Sequence, residues 1–220
     1  LCIAGGIALQ ALESSLGIKI VAHIAQLGPE KATDDPLNPL VFSEDQRESI
    51  LANTLPCTSK TAADAMYESI MTAKAEGDSV GGVIECAAYG MPVGVGDPMF
   101  DGIENRIAKA AFGIPAVKGV EFGAGFDAST LRGSKNNDPY RYEYESVVPQ
   151  TNNAGGILGG ITTGAPIIWR CAIKPTPSIG IEQDSVDLAT GANARLKVRG
   201  RHDPCIVPRA VPVVEAVCAL

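Results

Sequence analysis

Apolar residues recur at helical spacing over residues 1–16, with Ile3, Ile7, Ala11 and Leu12 on one face and Gly17 as the stop. No capping side chain precedes this run, so the chain is expected to begin inside a helix whose earlier turns are missing. Residues 18–26 read as a strand containing His23, and a histidine in an apolar strand is more often a packed residue than a ligand. Residues 28–56 are turn-rich and acidic (Asp34, Asp35, Glu44, Asp45, Glu48), with a short helical piece over 44–51. Thr58 or Ser59 then caps a helix through Glu76, whose buried stripe is Ala62, Met66, Ile70 and Ala73.

The second half alternates in the same way. Residues 83–89 form a strand, 101–112 a helix with Ile103, Ile107 and Ala110 inward, and 114–121 a returning strand. Between the first two, Gly90, Gly94 and Gly96 fall at a spacing that matches neither a dinucleotide fingerprint nor a Walker loop. A long polar insertion over 123–150 carries Tyr140, Tyr142 and Tyr144 and is expected to be a mobile flap. Residues 166–173 are a strand bearing Trp169, 180–194 a loop or hairpin, and 195–199 a strand. The final helix is expected to open with Pro212 at its first position, ahead of Val213, Val214 and Val217.

With 220 residues, 45% hydrophobic and 20% charged, the chain can bury a substantial core, and residues 1–220 read as one domain, truncated at both ends. No run of 18 or more apolar residues and no basic-then-apolar leader is found, so the expectation is a soluble cytoplasmic protein without a membrane span. Six scattered cysteines without a C-x-x-C pair, and two histidines, give no metal-ligand spacing and point to reduced thiols. The net charge of −7 argues against nucleic acid. It is uneven: residues 1–160 carry 11 basic against 20 acidic residues, whereas 161–220 carry 7 against 5. A small anionic ligand therefore suits the C-terminal end.

That end holds the densest chemistry. Arg201, His202 and Asp203 put a cation, an imidazole and a carboxylate on consecutive residues, closed by Pro204 and Pro208, at the entrance to a helix. The competing reading is an ordinary loop with one salt bridge. Upstream, four glycines within 155–160 follow Asn152 and Asn153, which suits close approach to a flat ligand or tight strand packing. Lys174-Pro175-Thr176-Pro177-Ser178 makes a stiff loop rich in donors, suited to a phosphate or a polarised ring.

The runs T-N-N-A-G-G-I-L-G-G-I (151–161), K-P-T-P-S (174–178) and G-R-H-D-P-C-I-V-P-R-A-V-P-V-V-E-A (200–216) together resemble the chorismate synthase family. E-G-D-S-V-G-G (76–82), D-P-M-F-D (97–101) and A-V-K-G-V-E-F-G (116–123) extend the resemblance over nearly the whole chain. It implies an α+β fold, a three-layer β/α/β sandwich incomplete here, usually assembled as a homotetramer. It also implies a lyase of the shikimate pathway, which makes chorismate by 1,4-anti elimination of phosphate from 5-enolpyruvylshikimate 3-phosphate with reduced FMN as cofactor. Whether NADPH reduces the flavin on the enzyme or an external reductase does so is left open.

Carried over residue by residue, the resemblance places flavin contacts on Pro115, Ala116, Gly159, Lys174, Pro175, Thr176, Pro177, Ser178 and Arg201. Pro115 departs from the pattern, because proline has no N–H to donate. Arg201 would also bind the substrate's anionic groups, and Asp203 would handle a proton beside the flavin; His202 and Asn152 rank lower. The family's early G-E-S-H-G segment, its arginine-rich segment and its second catalytic histidine have no counterpart in the chain. The fragment is accordingly expected to be inactive alone. The alternatives are a non-catalytic flavin- or phosphate-binding module and a structural piece whose apolar helices serve oligomer packing.

Overall fold

The computed structural model describes residues 1–32 and 44–220. The chain runs α1 (Cys2–Leu16), β1 (Lys19–Leu27), β2 (Glu30–Lys31), α2 (Glu44–Ala52), α3 (Lys60–Glu76), β3 (Gly82–Tyr89), α4 (Ile103–Ala111) and β4 (Val117–Phe122). After a 3-10 turn at Gly125–Thr130 come α5 (Gly133–Asn136), β5 (Tyr140–Glu143), β6 (Ser146–Pro149), β7 (Ile157–Leu158), β8 (Ile161–Thr162) and β9 (Ile167–Ile173). The chain closes with β10 (Gln183–Asp187), β11 (Ala192–Leu196) and α6 (Val207–Ala219).

Five strands form one antiparallel sheet in the order β2-β1-β3-β9-β4. Alternation along each strand divides its faces. Ile20, Ala22 and Ile24 of β1, Ile84, Cys86 and Ala88 of β3, and Ile167, Trp169, Cys171 and Ile173 of β9 join a core with α3, α4 and α6. The opposite face buries a smaller cluster, Val21, Ala87, Tyr89 and Ile168, under Ile50 of α2. The fold is thus α+β, with a sheet and a helical layer among the described residues. No helix among them is long and apolar enough to cross a membrane.

Ser59 is the cap of α3, its hydroxyl accepting from the Ala62 N–H at 3.3 Å, and Gly77 ends the helix in the left-handed conformation that glycine tolerates best. In α1 the buried face differs from the apolar face predicted for it. Ile3, Ile7 and Ala11 are exposed, whereas Gly5 is buried and Leu9 and Leu12 pack on the core. The reason is contact distance: a Cβ on Gly5 would lie 2.3 Å from Cβ of Ala216, so a glycine lets the backbones of α1 and α6 meet. Periodicity counts apolar groups and does not register that a missing side chain can decide which face docks.

Helix α6 also starts earlier than predicted. Ile206 is its N-cap, Pro208 lies in the first turn, where its missing N–H costs nothing, and Pro212 is inside the helix on an exposed side. The strand predicted over 114–121 starts only at Val117, and the strand predicted over 195–199 is β11, ending at Leu196 as the second arm of a hairpin with β10. The polar insertion is a folded excursion, with the β5–β6 hairpin at its centre. Asp138 ties its base to the glycine run, accepting from the Thr151 hydroxyl at 2.6 Å and from the N–H groups of Asn153 and Ala154 at 2.7 and 2.9 Å. Asp34 and Asp35 lie outside the described residues.

Candidate functional site

Four distant stretches meet at the end of the sheet beyond β9. The Lys174 N–H donates to the Ala116 carbonyl at 3.0 Å, and the Ser79 hydroxyl donates to the Thr176 carbonyl at 2.7 Å. The Val80 N–H donates to the Pro204 carbonyl at 2.9 Å, which draws in the charged loop before α6. Gly81 makes the junction possible, since a Cβ there would lie 2.4 Å from the Ile173 carbonyl oxygen and 2.9 Å from the Pro175 ring. Ala116 has φ of 75°, a left-handed conformation that costs a non-glycine residue about 1 kcal/mol or more. Thr176 Oγ1 is buried and has no hydrogen-bond partner among the described residues. The left-handed Ala116 and the buried Thr176 hydroxyl thus lie on two of the segments that meet at this junction.

Around this junction Pro115, Lys174, Pro175, Pro177 and Ser178 are exposed, and Ala116 and Thr176 are half-buried. Lys174 thus offers an ammonium at the surface of the cradle.

The glycine run is placed differently. Asn152 is buried and spent on the fold: its amide donates to the Pro166 carbonyl at 2.8 Å, and its oxygen accepts from the Gly156 N–H at 2.7 Å. Gly159 and Gly160 make the turn between β7 and β8, and the Gly160 carbonyl accepts from the Ile103 N–H at 3.0 Å at the start of α4. Gly159 is exposed, and a Cβ on it would meet nothing within 4 Å. Gly159 and Ala116 therefore flank opposite ends of α4, whose nine residues span about 13 Å.

In the charged loop Arg201 is exposed and makes no ion pair among the described residues. The loop's salt bridge joins Asp203 to Arg209 on the first turn of α6. A side chain one turn into the helix faces back over the loop. His202 Nε2 lies 3.1 Å from the Val198 carbonyl.

A constellation absent from the sequence reading crosses the outer face of the sheet. His23, Glu85, Arg170 and Glu121 stand directly opposite one another on β1, β3, β9 and β4. His23 and Glu85 are each 1% exposed, with Nε2 and Oε1 3.1 Å apart. Arg170 Nη1 lies 3.6 Å from the other Glu85 oxygen, and its Nε lies 3.1 Å from Glu121 Oε1. This row floors a cleft of about 260 Å³ that Gln26, Lys31 and Asp127 also line. Glu85 and Arg170 within otherwise apolar strands were its signal in the sequence.

The thiols follow their surroundings, and all six are free. Burial pushes Cys171 up to about 12. At Cys57 burial also acts to raise the thiol, but a hydrogen bond with His23 and others with the backbone of Ser59 and Thr58 outweigh it, and the thiol lies below its ordinary value.

The family profile described as chorismate synthase matches residues 1–220. A chorismate synthase from Dehalococcoides mccartyi strain BAV1 is 49% identical over 217 residues, 99% of this chain and 58% of the relative. One from Methanosarcina acetivorans is 48% identical over 218 residues, again 99% of this chain and 58% of the relative. A crystal structure of a chorismate synthase superposes with a TM-score of 0.80 at 29% identity, covering 98% of this chain and 58% of that one. The chain thus spans 58% of the length of these relatives.

Proposed function

This chain belongs to the chorismate synthase family, and we propose that it forms the flavin-facing part of an enzyme eliminating phosphate from 5-enolpyruvylshikimate 3-phosphate to give chorismate. The observation that carries this reading is the convergence of Ala116, Lys174, Thr176 and Pro204 on one junction, with Lys174 exposed there. The exposed Lys174 and Ser178, beside the half-buried Ala116 and Thr176, suit a polar, phosphorylated cofactor such as FMN.

Reduced FMN, when bound, supplies electron density to the substrate as phosphate leaves. Lys174, Thr176 and Ser178 bind it from one side of the junction, with Pro115, Ala116, Pro175 and Pro177 shaping the wall and Gly159 facing it from the far end of α4. Arg201, permanently charged, binds anionic groups of cofactor and substrate. Asp203, held by Arg209, is the group that holds and moves a proton. A homotetramer and a cytoplasmic location belong to the same reading and rest on the family resemblance.

The alternative reading is a flavin- or phosphate-binding module without turnover. Two measurements test the proposal. The chain is titrated with FMN, and a chimera in which it replaces the matching 217 residues of the Dehalococcoides mccartyi relative is assayed anaerobically with reduced FMN. FMN binding by the chain, with turnover by the chimera only, is expected. A folded chimera that binds FMN and substrate but turns over neither would leave the module reading standing instead.

A further inference from the structure

The row across the outer face ends on the loop after β4, which packs against the start of the glycine run. Arg170 sits between two carboxylates, Glu85 and Glu121, and the remaining Nη2 donates to the carbonyl of Gly123, just past the end of β4. Glu121 holds the same loop by its second oxygen, accepting from the Phe126 N–H at 3.2 Å. Gly123 is in close contact with the run: a Cβ there would lie 2.1 Å from the Asn153 carbonyl oxygen and 2.4 Å from the Gly155 nitrogen. The Ala124 N–H donates to that Asn153 carbonyl at 2.8 Å, and the Gly123 N–H to the Ile168 carbonyl at 2.9 Å.

We infer that Arg170 is a positioning residue, which fixes Gly123 and through it the Asn153–Gly155 backbone from which the Gly159 turn projects. The guanidinium suits this role because its planar fork can meet two carboxylates and a carbonyl at once, whereas an ammonium is a single point charge. Glu121, on the strand that leads into Gly123, pairs with the Nε side of the fork, while Glu85, buried and paired with His23, meets Nη1 on the side away from Gly123. The inference rests on the proposed flavin-facing role of the run for its functional meaning, and on contacts alone for its mechanical content.

The test uses the full chain and two variants that load the row from different ends. Arg170→Lys keeps the charge between the carboxylates and removes the donor to Gly123. Glu85→Gln weakens the row on the side away from Gly123 and leaves that donor in place. Amide hydrogen exchange is read at Gly123, Ala124 and Ile168, melting temperature by circular dichroism, and FMN affinity by titration. Arg170→Lys is expected to speed exchange at the three amides at least tenfold and to weaken FMN binding about tenfold, with a small change in melting temperature. Glu85→Gln is expected to lower the melting temperature while leaving the three amides and FMN affinity within twofold of the parent chain. Unchanged exchange in Arg170→Lys, or equal acceleration in both variants, overturns the proposal in favour of a row that only stabilises the sheet. If Arg170→Lys does not fold, Glu121→Gln replaces it with the same expectation for exchange. A parent chain that binds no FMN defeats the flavin reading, and the exchange data still decide the role of Arg170.

Discussion

Asp203 is paired with Arg209, six residues on and in the first turn of α6, and Arg201 makes no ion pair among the described residues. The loop therefore separates a restrained carboxylate from an uncommitted cation, which suits different tasks.

Arg201→Ala should leave the melting temperature unchanged, since the side chain is exposed, and weaken FMN binding about tenfold, in line with the roughly 1.5–3 kcal/mol of a charge-assisted hydrogen bond. Asp203→Asn should lower turnover of the chimera with little change in affinity. Arg209→Met removes the same pair from the other side. Arg209 is 73% exposed, so the pair contributes at most about 1 kcal/mol, and turnover should fall less than in Asp203→Asn. Thermal melts, FMN titration and steady-state kinetics on all three separate the roles; equal losses in every assay would reduce the loop to a salt bridge.

Gly5 and Gly6 are neighbours in α1 with opposite expectations. Gly5→Ala forces a methyl into Ala216 of α6 and should cost about 1–3 kcal/mol. Gly6→Ala meets nothing within 4 Å and should stabilise the chain by roughly 0.5–1 kcal/mol through helix propensity. Urea denaturation of the two variants gives the signs directly.

Glu215 of α6 accepts from the Ala22 N–H of β1 at 2.8 Å. Burial raises its carboxyl above the ordinary glutamate value, and the hydrogen bond from Ala22 and the charge of Arg47 offset only part of that. Here the folded state holds the proton more tightly than the unfolded one, so stability falls as pH rises from the unfolded value through the folded one. Glu215→Gln can keep an oxygen acceptor for Ala22 and removes the charge. Its melting temperature should exceed that of the parent at pH 7–8 and the advantage should shrink toward pH 4; an advantage independent of pH would show that ionisation is not the cause.

Gly159→Val tests the glycine turn. With open space around Cα and φ of 59°, the cost is backbone strain of about 1–2 kcal/mol, and the far-ultraviolet spectrum should not change. FMN affinity should fall sharply if the turn faces the flavin. Parent-like affinity would remove Gly159 from the site.

Local patterns determined much of this protein by themselves. The stripe of Ala62, Met66 and Ala73, the Ser59 cap, the Gly77 stop and the strands around Cys86 and Trp169 depend on neighbours within a few residues, where periodicity and capping chemistry act. The motif runs likewise carried the family, because their residue order is itself the signal. What the tertiary structure decided is who meets whom. Gly5 turned α1 onto Ala216, Arg209 reached Asp203 from a helix that begins five residues before the expected proline, and strand register aligned His23, Glu85, Arg170 and Glu121. Pairing between residues 49 to 85 positions apart in sequence leaves no local trace, since each charge is set by its own strand and their alignment only by the register of the sheet.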